Sequence, residues 1–185
     1  MPRHVDMGSR EREIQAATLR IIARSGVNGV TIRRVAGELG ASTSVITHFT
    51  RDKDELLARA VAGALEDFRC EVTALISTAE DPLWAVIDWS LDADTSGVWP
   101  ALVLATATDV SPTVSSLVRV FDSWWTDTIG QLVAVRLIDG LSQNDAADAI
   151  GVVADGLTLA RDTASWSAQH RRFIARILIE PLLAH

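Results

Sequence analysis

The chain carries a hydrophobic pattern of helical period along nearly its whole length and almost no alternation typical of strands. Apolar residues recur every three or four positions over residues 14–22, and Gly26 ends this stretch. Thr31 is placed to cap a short second helix that Gly40 ends, and Ser42 is placed to cap a third. The pattern therefore predicts three helices near the start of the chain.

The same period continues through the other residues. Asp52 is placed to cap a long fourth helix of about seven turns. Five more helices are predicted: from Pro82 to about residue 93, from residue 97 to 108, from Pro112 to Ile138, from Ser142 to about residue 163, and from Ser167 to near residue 181. The fold class is all-α with about nine helices, in which the long fourth helix joins a three-helix domain of residues 1–52 to a helical body of residues 53–185.

Composition supports an ordinary globular protein. With 185 residues, 48% of them apolar, the chain can bury a core without metal or disulfide staples. It has no apolar run of the roughly 18 residues that cross a bilayer and no signal-type segment at its start, so we expect a soluble cytoplasmic protein without a membrane partner. The single cysteine, Cys70, lies among apolar residues of a helical pattern and is expected to be an inert core thiol.

The net charge of −7 is unevenly distributed. Residues 1–60 contain ten basic and seven acidic residues, whereas residues 61–185 contain seven basic and seventeen acidic ones. A basic end on an acidic body indicates that the N-terminal part faces a polyanion while the rest avoids one. An ordinary solvated surface is the alternative at this point.

Residues 31–53 have the order of a helix-turn-helix: a helix, a tight turn at Gly40 and a second short helix with small polar residues at its start. Ser42, Thr43 and Ser44 are small enough for close approach to DNA, and their hydroxyls can donate and accept hydrogen bonds. The alternative is a short helical hairpin inside a larger bundle.

From residue 14 to residue 57 the chain resembles the TetR family of one-component transcriptional repressors. The stretch IQAATLRIIARSG is similar to the first helix of that family, TIRRVAGELGAS to its second helix and turn, and ITHFTRDKDELL to the end of its recognition helix and the start of helix 4. The resemblance implies an N-terminal domain that binds double-stranded operator DNA. It also implies a helical body that binds a small-molecule effector and forms a homodimer.

The resemblance implies a role for individual residues. It assigns phosphate or backbone contacts to Thr31, Thr47, His48 and Lys53, and groove contacts to Ser42, Thr43 and Ser44. The neighbouring Arg33 and Arg34 are further candidates for phosphate contact, although arginines on a surface helix are often simply solvated.

Two positions depart from the family pattern. Thr47 stands where the family often has Tyr, which removes a long phosphate-reaching phenol. Thr50 stands where it usually has Phe, and Phe49 comes one residue earlier, which changes the packing of the helix end.

The chain has six Trp and no Tyr, and all six Trp follow residue 83. Large rings often line apolar pockets between the helices of a bundle, so an apolar or aromatic effector is expected at Trp84, Asp88, Trp99, Phe121 and Trp124. Trp84 and Asp88 lie one helical turn apart, a pairing that can hold a cation and makes a cationic effector the minor option. Trp residues at helical spacing are also common in cores.

The last two predicted helices are apolar on more than one side, with Val152 and Leu159 on a second face of the first of them. Such helices must be buried on more than one side, which predicts a four-helix interface with a symmetry mate. The expected interface residues are Ile150, Val153, Leu157, Ile174, Ile177, Leu178 and Leu182.

The sequence contains none of the short motifs of zinc hydrolases, phosphate loops or serine hydrolases, and only four His. We therefore expect no enzyme, no cofactor and no metal site, and we interpret Asp88, Asp92 and Asp94 as a solvated face. The function expected from the sequence is a homodimeric, ligand-responsive repressor of a pseudo-palindromic operator. The alternative is an all-helical homodimeric small-molecule-binding or scaffold protein without sequence-specific DNA binding.

Overall fold

The computed structural model describes residues 7–92, 98–108, 111–163 and 166–184. Within these ranges the chain forms nine α-helices and no β-strand, which confirms the predicted all-α fold. The helices are α1 (Met7–Ser25), α2 (Ile32–Glu38), α3 (Thr43–Phe49), α4 (Lys53–Thr78), α5 (Pro82–Asp92), α6 (Val98–Ala107), α7 (Pro112–Val133), α8 (Gln143–Thr163) and α9 (Ala168–Ile179). The predicted boundaries at residues 93 and 97, and Asp94, lie outside the described residues.

Most helices begin where a side chain satisfies a free backbone N–H. Thr31 Oγ1 accepts the N–H of Arg34 at 3.1 Å, and Asp52 Oδ1 accepts the N–H of Glu55 at 2.9 Å. Ser142 and Ser167 cap α8 and α9 in the same way. Ser42 holds the capping position of α3 but makes no capping bond with its side chain.

Helix α7 ends at Val133, five residues before the predicted end at Ile138. The reason is a tertiary contact: the backbone of residues 136–138 pairs with residues 182–184, through Ile138 N–H to the Leu182 carbonyl at 3.3 Å and Ala184 N–H to the Arg136 carbonyl at 2.5 Å. Arg136 also binds both oxygens of Asp81, at 2.9 and 3.0 Å. Backbone groups committed to this pairing cannot continue the helix.

The chain packs into two compact units, an N-terminal unit of residues 1–67 and 95–119 and a C-terminal unit of residues 68–94 and 120–185. Helices α4 and α7 contribute residues to both, and α6 packs on α1 within the N-terminal unit. The predicted domain boundary between residues 52 and 53 stays a prediction. By packing, the two units divide within α4, between residues 67 and 68.

Each unit has its own apolar core. In the N-terminal unit the fully buried side chains include Ile22, Val30, Val35, Ile46 and Leu57. In the C-terminal unit they include Leu83, Ile87, Ile129, Ile150 and Ile179. The core of the N-terminal unit therefore holds α1 to α4 together around the helix-turn-helix.

The expectation that Cys70 is a core residue is wrong, because its side chain is exposed. Cys70 precedes the buried Val72 by two positions, about 200° around the helix, so it points away from the apolar stripe of α4.

Within the described ranges, no single helix is long and apolar enough to cross a membrane; only α6 and α7 together, as a bent pair, pass that test on length and composition.

Candidate functional site

Helices α2 and α3 form a helix-turn-helix whose inner side is apolar. Val35 and Ala36 on α2 and Ile46 on α3 are buried. Gly40 lies in the turn with φ of 59°, a left-handed conformation that favours glycine, and the Ala41 N–H closes the turn on the Ala36 carbonyl at 2.9 Å. The inner contacts and the turn fix which side of α3 faces outward.

The outward side of α3 carries the side chains predicted to meet DNA. Ser42, Thr43, Ser44, Thr47 and His48 are all exposed. Thr43 and Thr47 are one turn apart, as are Ser44 and His48, so these four side chains form two adjacent rows, and Ser42 precedes them at the start of the helix. We call this set the reading surface.

Hydrogen bonds within the reading surface hold three of its hydroxyls. Ser42 Oγ and Ser44 Oγ lie 2.7 Å apart, and Thr47 Oγ1 donates to the Ser44 carbonyl at 3.3 Å. The His48 and Phe49 rings meet nearly at right angles, with their centroids 5.4 Å apart. The surface therefore presents short hydroxyls and one imidazole, without the long bidentate side chains that read single bases.

The packing at the end of α3 accounts for Thr50 at a position where the resembled family usually has Phe. Thr50 is buried, and its Oγ1 donates to the Asp52 carbonyl at 2.9 Å. Phe49 beside it is half-buried. A small residue with an internal hydrogen-bond partner thus occupies the buried position, and it ties the end of α3 to the start of α4.

Arg33 and Arg34 have different surroundings although they are neighbours on α2. Arg34 donates from Nη1 to the Gly29 carbonyl at 2.7 Å and from Nη2 to Ser25 Oγ at 2.9 Å. These bonds join the end of α1 and the following segment to the first turn of α2. Arg33 is exposed, and it has no ion-pair or hydrogen-bond partner for its side chain among the described residues.

Most other charges of the N-terminal unit are paired within it. Glu38 on α2 binds Arg20 and Arg24 on α1, and hydrogen bonds from Arg20 and then Arg24 lower the pKa of the Glu38 carboxyl. These pairs join α1 to α2. They also withdraw two arginines from the charge available to a polyanion.

A second network joins α4 to α1. Glu55 accepts the backbone N–H of Arg51 at 2.8 Å and side-chain bonds from Arg51 and Arg59. The N–H of Arg51, followed by its guanidinium, lowers the pKa of Glu55 to about 2. Arg59 also binds Glu11 on α1 at 2.9 Å. Lys53, half-buried at the start of α4, is outside these networks in the described part of the chain.

The predicted dimer residues divide into two groups. Ile150 is 0% and Leu157 is 5% exposed within the single chain, so the expectation that these two meet a partner is wrong: they belong to the internal core. Ile177 and Leu178 are 50% and 48% exposed. The half-buried Val153, Ile174 and Leu182 lie between these extremes.

Exposed apolar side chains on α8 and α9 define a further set, which we call the apolar face. Its members are Val152, Leu159, Phe173, Ile177 and Leu178. The residues that sequence reasoning placed on a second side of α8, Val152 and Leu159, are thus exposed. The period alone could not show which side of this doubly apolar helix turns inward.

Of the predicted effector residues, the structure brings Phe121 and Trp124 together, with ring centroids 5.3 Å apart. Phe68 lies 6.2 Å from Phe121 and 5.9 Å from Trp89. We call these four rings the aromatic cluster. Sequence reasoning missed Phe68, because α4 reads as a core helix, and missed Arg69, whose guanidinium lies 5.4 Å from the Trp124 ring.

Trp84 and Asp88 meet arginines of α9 instead. The Arg176 guanidinium lies 4.2 Å from the Trp84 ring centroid. Arg172 forms ion pairs with Asp88, at 3.7 Å, and with Asp92. The remaining predicted residue, Trp99, lies on α6 in the other unit.

In the described ranges, no group of three or more His, Cys, Asp or Glu side chains is arranged to hold a metal ion.

Proteins of known sequence that resemble this chain are transcriptional regulators. HTH-type transcriptional regulator PksA of Bacillus subtilis is 38% identical over 61 residues, which are 33% of this chain and 30% of that protein. HTH-type transcriptional regulator BetI of Escherichia coli is 31% identical over 97 residues, 50% of each chain. The chain therefore spans half or less of the length of these relatives. No protein-family model matches the chain.

Solved structures match nearly the whole chain. A transcriptional regulator from Saccharomonospora viridis in complex with choline has a TM-score of 0.81 at 20% identity and covers 97% of this chain and 100% of its own. A TetR-family regulator from Agrobacterium tumefaciens has a TM-score of 0.80 at 20% identity, over 96% and 99%. NalD, the secondary repressor of a multidrug efflux pump in Pseudomonas aeruginosa, has a TM-score of 0.70 at 18% identity, over 97% and 99%.

At these identities the structural likeness concerns the fold. The chain has the fold of TetR-family transcriptional regulators, which is the fold that the resemblance over residues 14–57 implies.

Proposed function

We propose that this protein is a homodimeric transcriptional repressor that binds a pseudo-palindromic operator and is released from it by a small-molecule effector. The observation that carries the proposal is the reading surface, a row of exposed hydroxyls and one imidazole on the second helix of a helix-turn-helix. This role requires access to DNA, which fits the expected cytoplasmic location. No enzymatic activity is part of the proposal.

Base readout is assigned to Thr43 and Ser44. Both are exposed at the start of α3, where a recognition helix meets base edges. Their side chains are too short for bidentate contacts, so sequence preference comes from single hydrogen bonds, thymine methyl contacts, bridging water and DNA shape.

Phosphate binding is assigned to Arg33 and Lys53. Among the described charges of the N-terminal unit, these two are not neutralised by an internal carboxylate. Phosphate contacts position a protein on DNA without reading its sequence. Lys53 therefore contributes to every duplex alike, whereas Thr43 and Ser44 contribute to the operator only.

Titration of duplex DNA tests these assignments. The specific duplex is obtained by selection from a random pool, and its scrambled counterpart is measured at the same salt concentration. Lys53→Ala should weaken both by about 1 kcal/mol, while Lys53→Arg retains binding. Thr43→Ala or Ser44→Ala should reduce the preference for the selected duplex by about 1 kcal/mol and leave the scrambled duplex unchanged. If no duplex shows salt-sensitive binding, the chain is instead a helical binding or scaffold protein.

The apolar face is proposed to bind a second copy of this chain. A dimer places two recognition helices in successive major grooves, which the pseudo-palindromic operator requires. The Ile177→Glu, Leu178→Glu double variant should sediment as a monomer and lose specific DNA binding. Val135→Glu is the control, because Val135 is 91% exposed and lies in the segment between α7 and α8, not on the two helices that carry the apolar face. A wild-type protein that sediments as a monomer at micromolar concentration contradicts the proposed dimer.

The effector is proposed to bind in the C-terminal unit at the aromatic cluster. Helix α4 contributes Phe68 to this cluster and Lys53 to the DNA-binding part, so one helix belongs to both functions. The bound choline of the Saccharomonospora viridis protein makes a quaternary ammonium ion one candidate effector. An effector must bind the DNA-free form more tightly, so operator DNA must weaken its binding by the same factor.

Tryptophan emission can follow effector binding, because all six Trp lie after residue 83, outside the helix-turn-helix. A ligand that changes the emission should raise the operator dissociation constant by about 5- to 150-fold. Ligands that saturate the emission change and leave operator affinity unaltered contradict the coupling.

A further inference from the structure

The turn between α3 and α4 carries an exposed arginine, Arg51. It follows the buried Thr50 and comes two positions before Lys53. Three peptide steps separate it from His48 on the reading surface, so the Cα atoms of these two residues lie at most about 11 Å apart. Arg51 therefore adjoins both the proposed base-reading helix and the proposed phosphate-binding lysine.

The Arg51 side chain is held at one edge only. A single oxygen of Glu55, Oε2, accepts the backbone N–H of Arg51 at 2.8 Å and its Nε–H at 3.1 Å. The Arg51 side chain is 87% exposed, and its terminal nitrogens Nη1 and Nη2 bond to no other group within the described residues. Four of the five guanidinium N–H donors are therefore open to an outside acceptor.

Glu55, which holds Arg51, is itself fixed by other bonds. Its side chain is only 20% exposed, its Oε1 accepts Arg59 Nη2 at 2.8 Å, and its N–H donates to the capping Asp52. Arg59 in turn binds Glu11 on α1. The carboxylate thus belongs to a network between α4 and α1, and it fixes the Arg51 guanidinium relative to the start of α4.

An acidic side chain next to a DNA-binding surface repels phosphate by its own charge. Glu55 keeps that charge wherever DNA binding is measured, because the Arg51 N–H, followed by the Arg51 guanidinium, lowers its pKa to about 2. Exposed ion pairs are weak in water, so the pairing leaves Arg51 able to bind a second anion through its other nitrogens. A long side chain loses rotational freedom when it binds, and a carboxylate that already fixes it reduces this loss.

We infer that Arg51 is a further phosphate-binding residue of the DNA-binding surface and that Glu55 is its positioning residue, an acidic group that raises the affinity for DNA. The inference deepens the proposed function and rests on it. With Nε bound to the carboxylate, the planar guanidinium presents Nη1 and Nη2 together, which suits a two-point contact with phosphate oxygens.

Titration of scrambled duplex at several salt concentrations tests the phosphate contact, because this contribution is independent of base sequence. Arg51→Ala should weaken binding about 5-fold for each subunit and reduce the magnitude of the salt slope by about 0.9. Arg51→Lys keeps the charge but lacks the Nε–H, so it should retain the slope and only part of the affinity. An unchanged slope in Arg51→Ala overturns the phosphate contact.

A double-mutant cycle separates positioning from the removal of charge. Glu55→Ala removes a negative charge, which by itself strengthens DNA binding. We expect Glu55→Ala to weaken binding instead, about 2- to 10-fold for each subunit, because one long side chain must then be ordered on binding. In the Arg51→Ala background the same substitution should cause no weakening, because no guanidinium remains to be held.

Glu38→Ala is the matched control. Glu38 also binds two arginines, Arg20 and Arg24, but both lie on α1 and neither is proposed to contact DNA. Its replacement should change the affinity by the same factor with and without the Arg51 side chain. Glu55→Gln gives a second reading if Glu55→Ala fails to fold; its amide oxygen still accepts a hydrogen bond, so we expect a smaller weakening that again depends on Arg51.

Two results overturn the positioning role. One is stronger DNA binding by Glu55→Ala in the otherwise wild-type protein, and the other is an equal effect of the Glu55 substitution in both backgrounds. Failure of the proposed function is distinguishable, because the wild-type protein then binds no duplex. Failure of this inference alone leaves wild-type binding and the effect of Lys53→Ala intact.

Discussion

Replacing Arg34 by Gln separates a residue that positions the DNA-binding helices from one that contacts DNA. The Arg34 side chain donates two hydrogen bonds that join α1, the segment after it and α2. Bonds of this kind contribute about 0.5–1.5 kcal/mol each, and an exposed side chain lies at the lower end. We therefore expect Arg34→Gln to lower the free energy of unfolding by about 1 kcal/mol, which is about 2–4 °C in Tm for a chain of this length.

The salt dependence of DNA binding supplies the decisive assay. Each phosphate contact contributes about 0.9 to the slope of log K against log salt concentration. Arg34→Gln should leave this slope unchanged on scrambled duplex, because its donors are already used within the protein. Arg33→Gln, the adjacent control, should reduce the magnitude of the slope by about 0.9 per subunit and change the unfolding free energy by less than about 0.5 kcal/mol.

The opposite pattern would refute this reasoning. If Arg34→Gln reduces the slope as much as Arg33→Gln does and leaves Tm unchanged, then Arg34 leaves Gly29 and Ser25 to bind phosphate. If neither variant changes the slope, neither arginine of α2 contacts a phosphate.

Three further predictions concern stability and reactivity. The pKa of Glu55 is lowered to about 2 in the folded protein, so the stabilising effect of its carboxylate is complete above the ordinary value of 4.5 and is lost as pH falls toward 2. The Tm difference between wild type and Glu55→Gln should therefore shrink as pH falls over that range. A Tm difference that is independent of pH would contradict this prediction. A Cβ on Gly29 would lie 2.5 Å from Ser25 Cβ, so Gly29→Ala should cost about 1–3 kcal/mol in chemical denaturation. Gly37→Ala, with nothing within 4 Å of the added Cβ, should instead stabilise by about 0.5–1 kcal/mol. Cys70 should react with a thiol reagent in native protein because its side chain is exposed, and protection until unfolding would show that it is buried.

The helices and their starts could be predicted from the sequence because their causes are local. A capping bond such as that from Thr31 to Arg34 spans three residues, and the apolar stripe of a helix repeats every three or four. The helix-turn-helix was visible for the same reason, since Gly40 and the small hydroxyl residues after it act within one turn of chain. The exposed reading surface on α3 follows from that pattern.

Other features of the protein are determined only by the tertiary structure, because they depend on contacts between residues far apart in the chain. Arg33 and Arg34 are neighbouring arginines that the sequence does not distinguish. Only the positions of Ser25 and Gly29 in the fold give the Arg34 side chain hydrogen-bond partners within the protein. Helix α8 is apolar on two sides, and only packing against other helices shows that Ile150 faces inward.

The candidate effector site shows the same division. The many Trp residues indicated a ligand domain, but the charge beside the rings depends on which arginine reaches which ring. Arg176 meets Trp84 across 92 positions of chain, and Arg69 meets Trp124 across 55. Hydrophobic periodicity shows on which side of its own helix a residue lies, but it does not show which other helix packs against that side. The sign of the charge beside the aromatic cluster therefore depends on the tertiary structure.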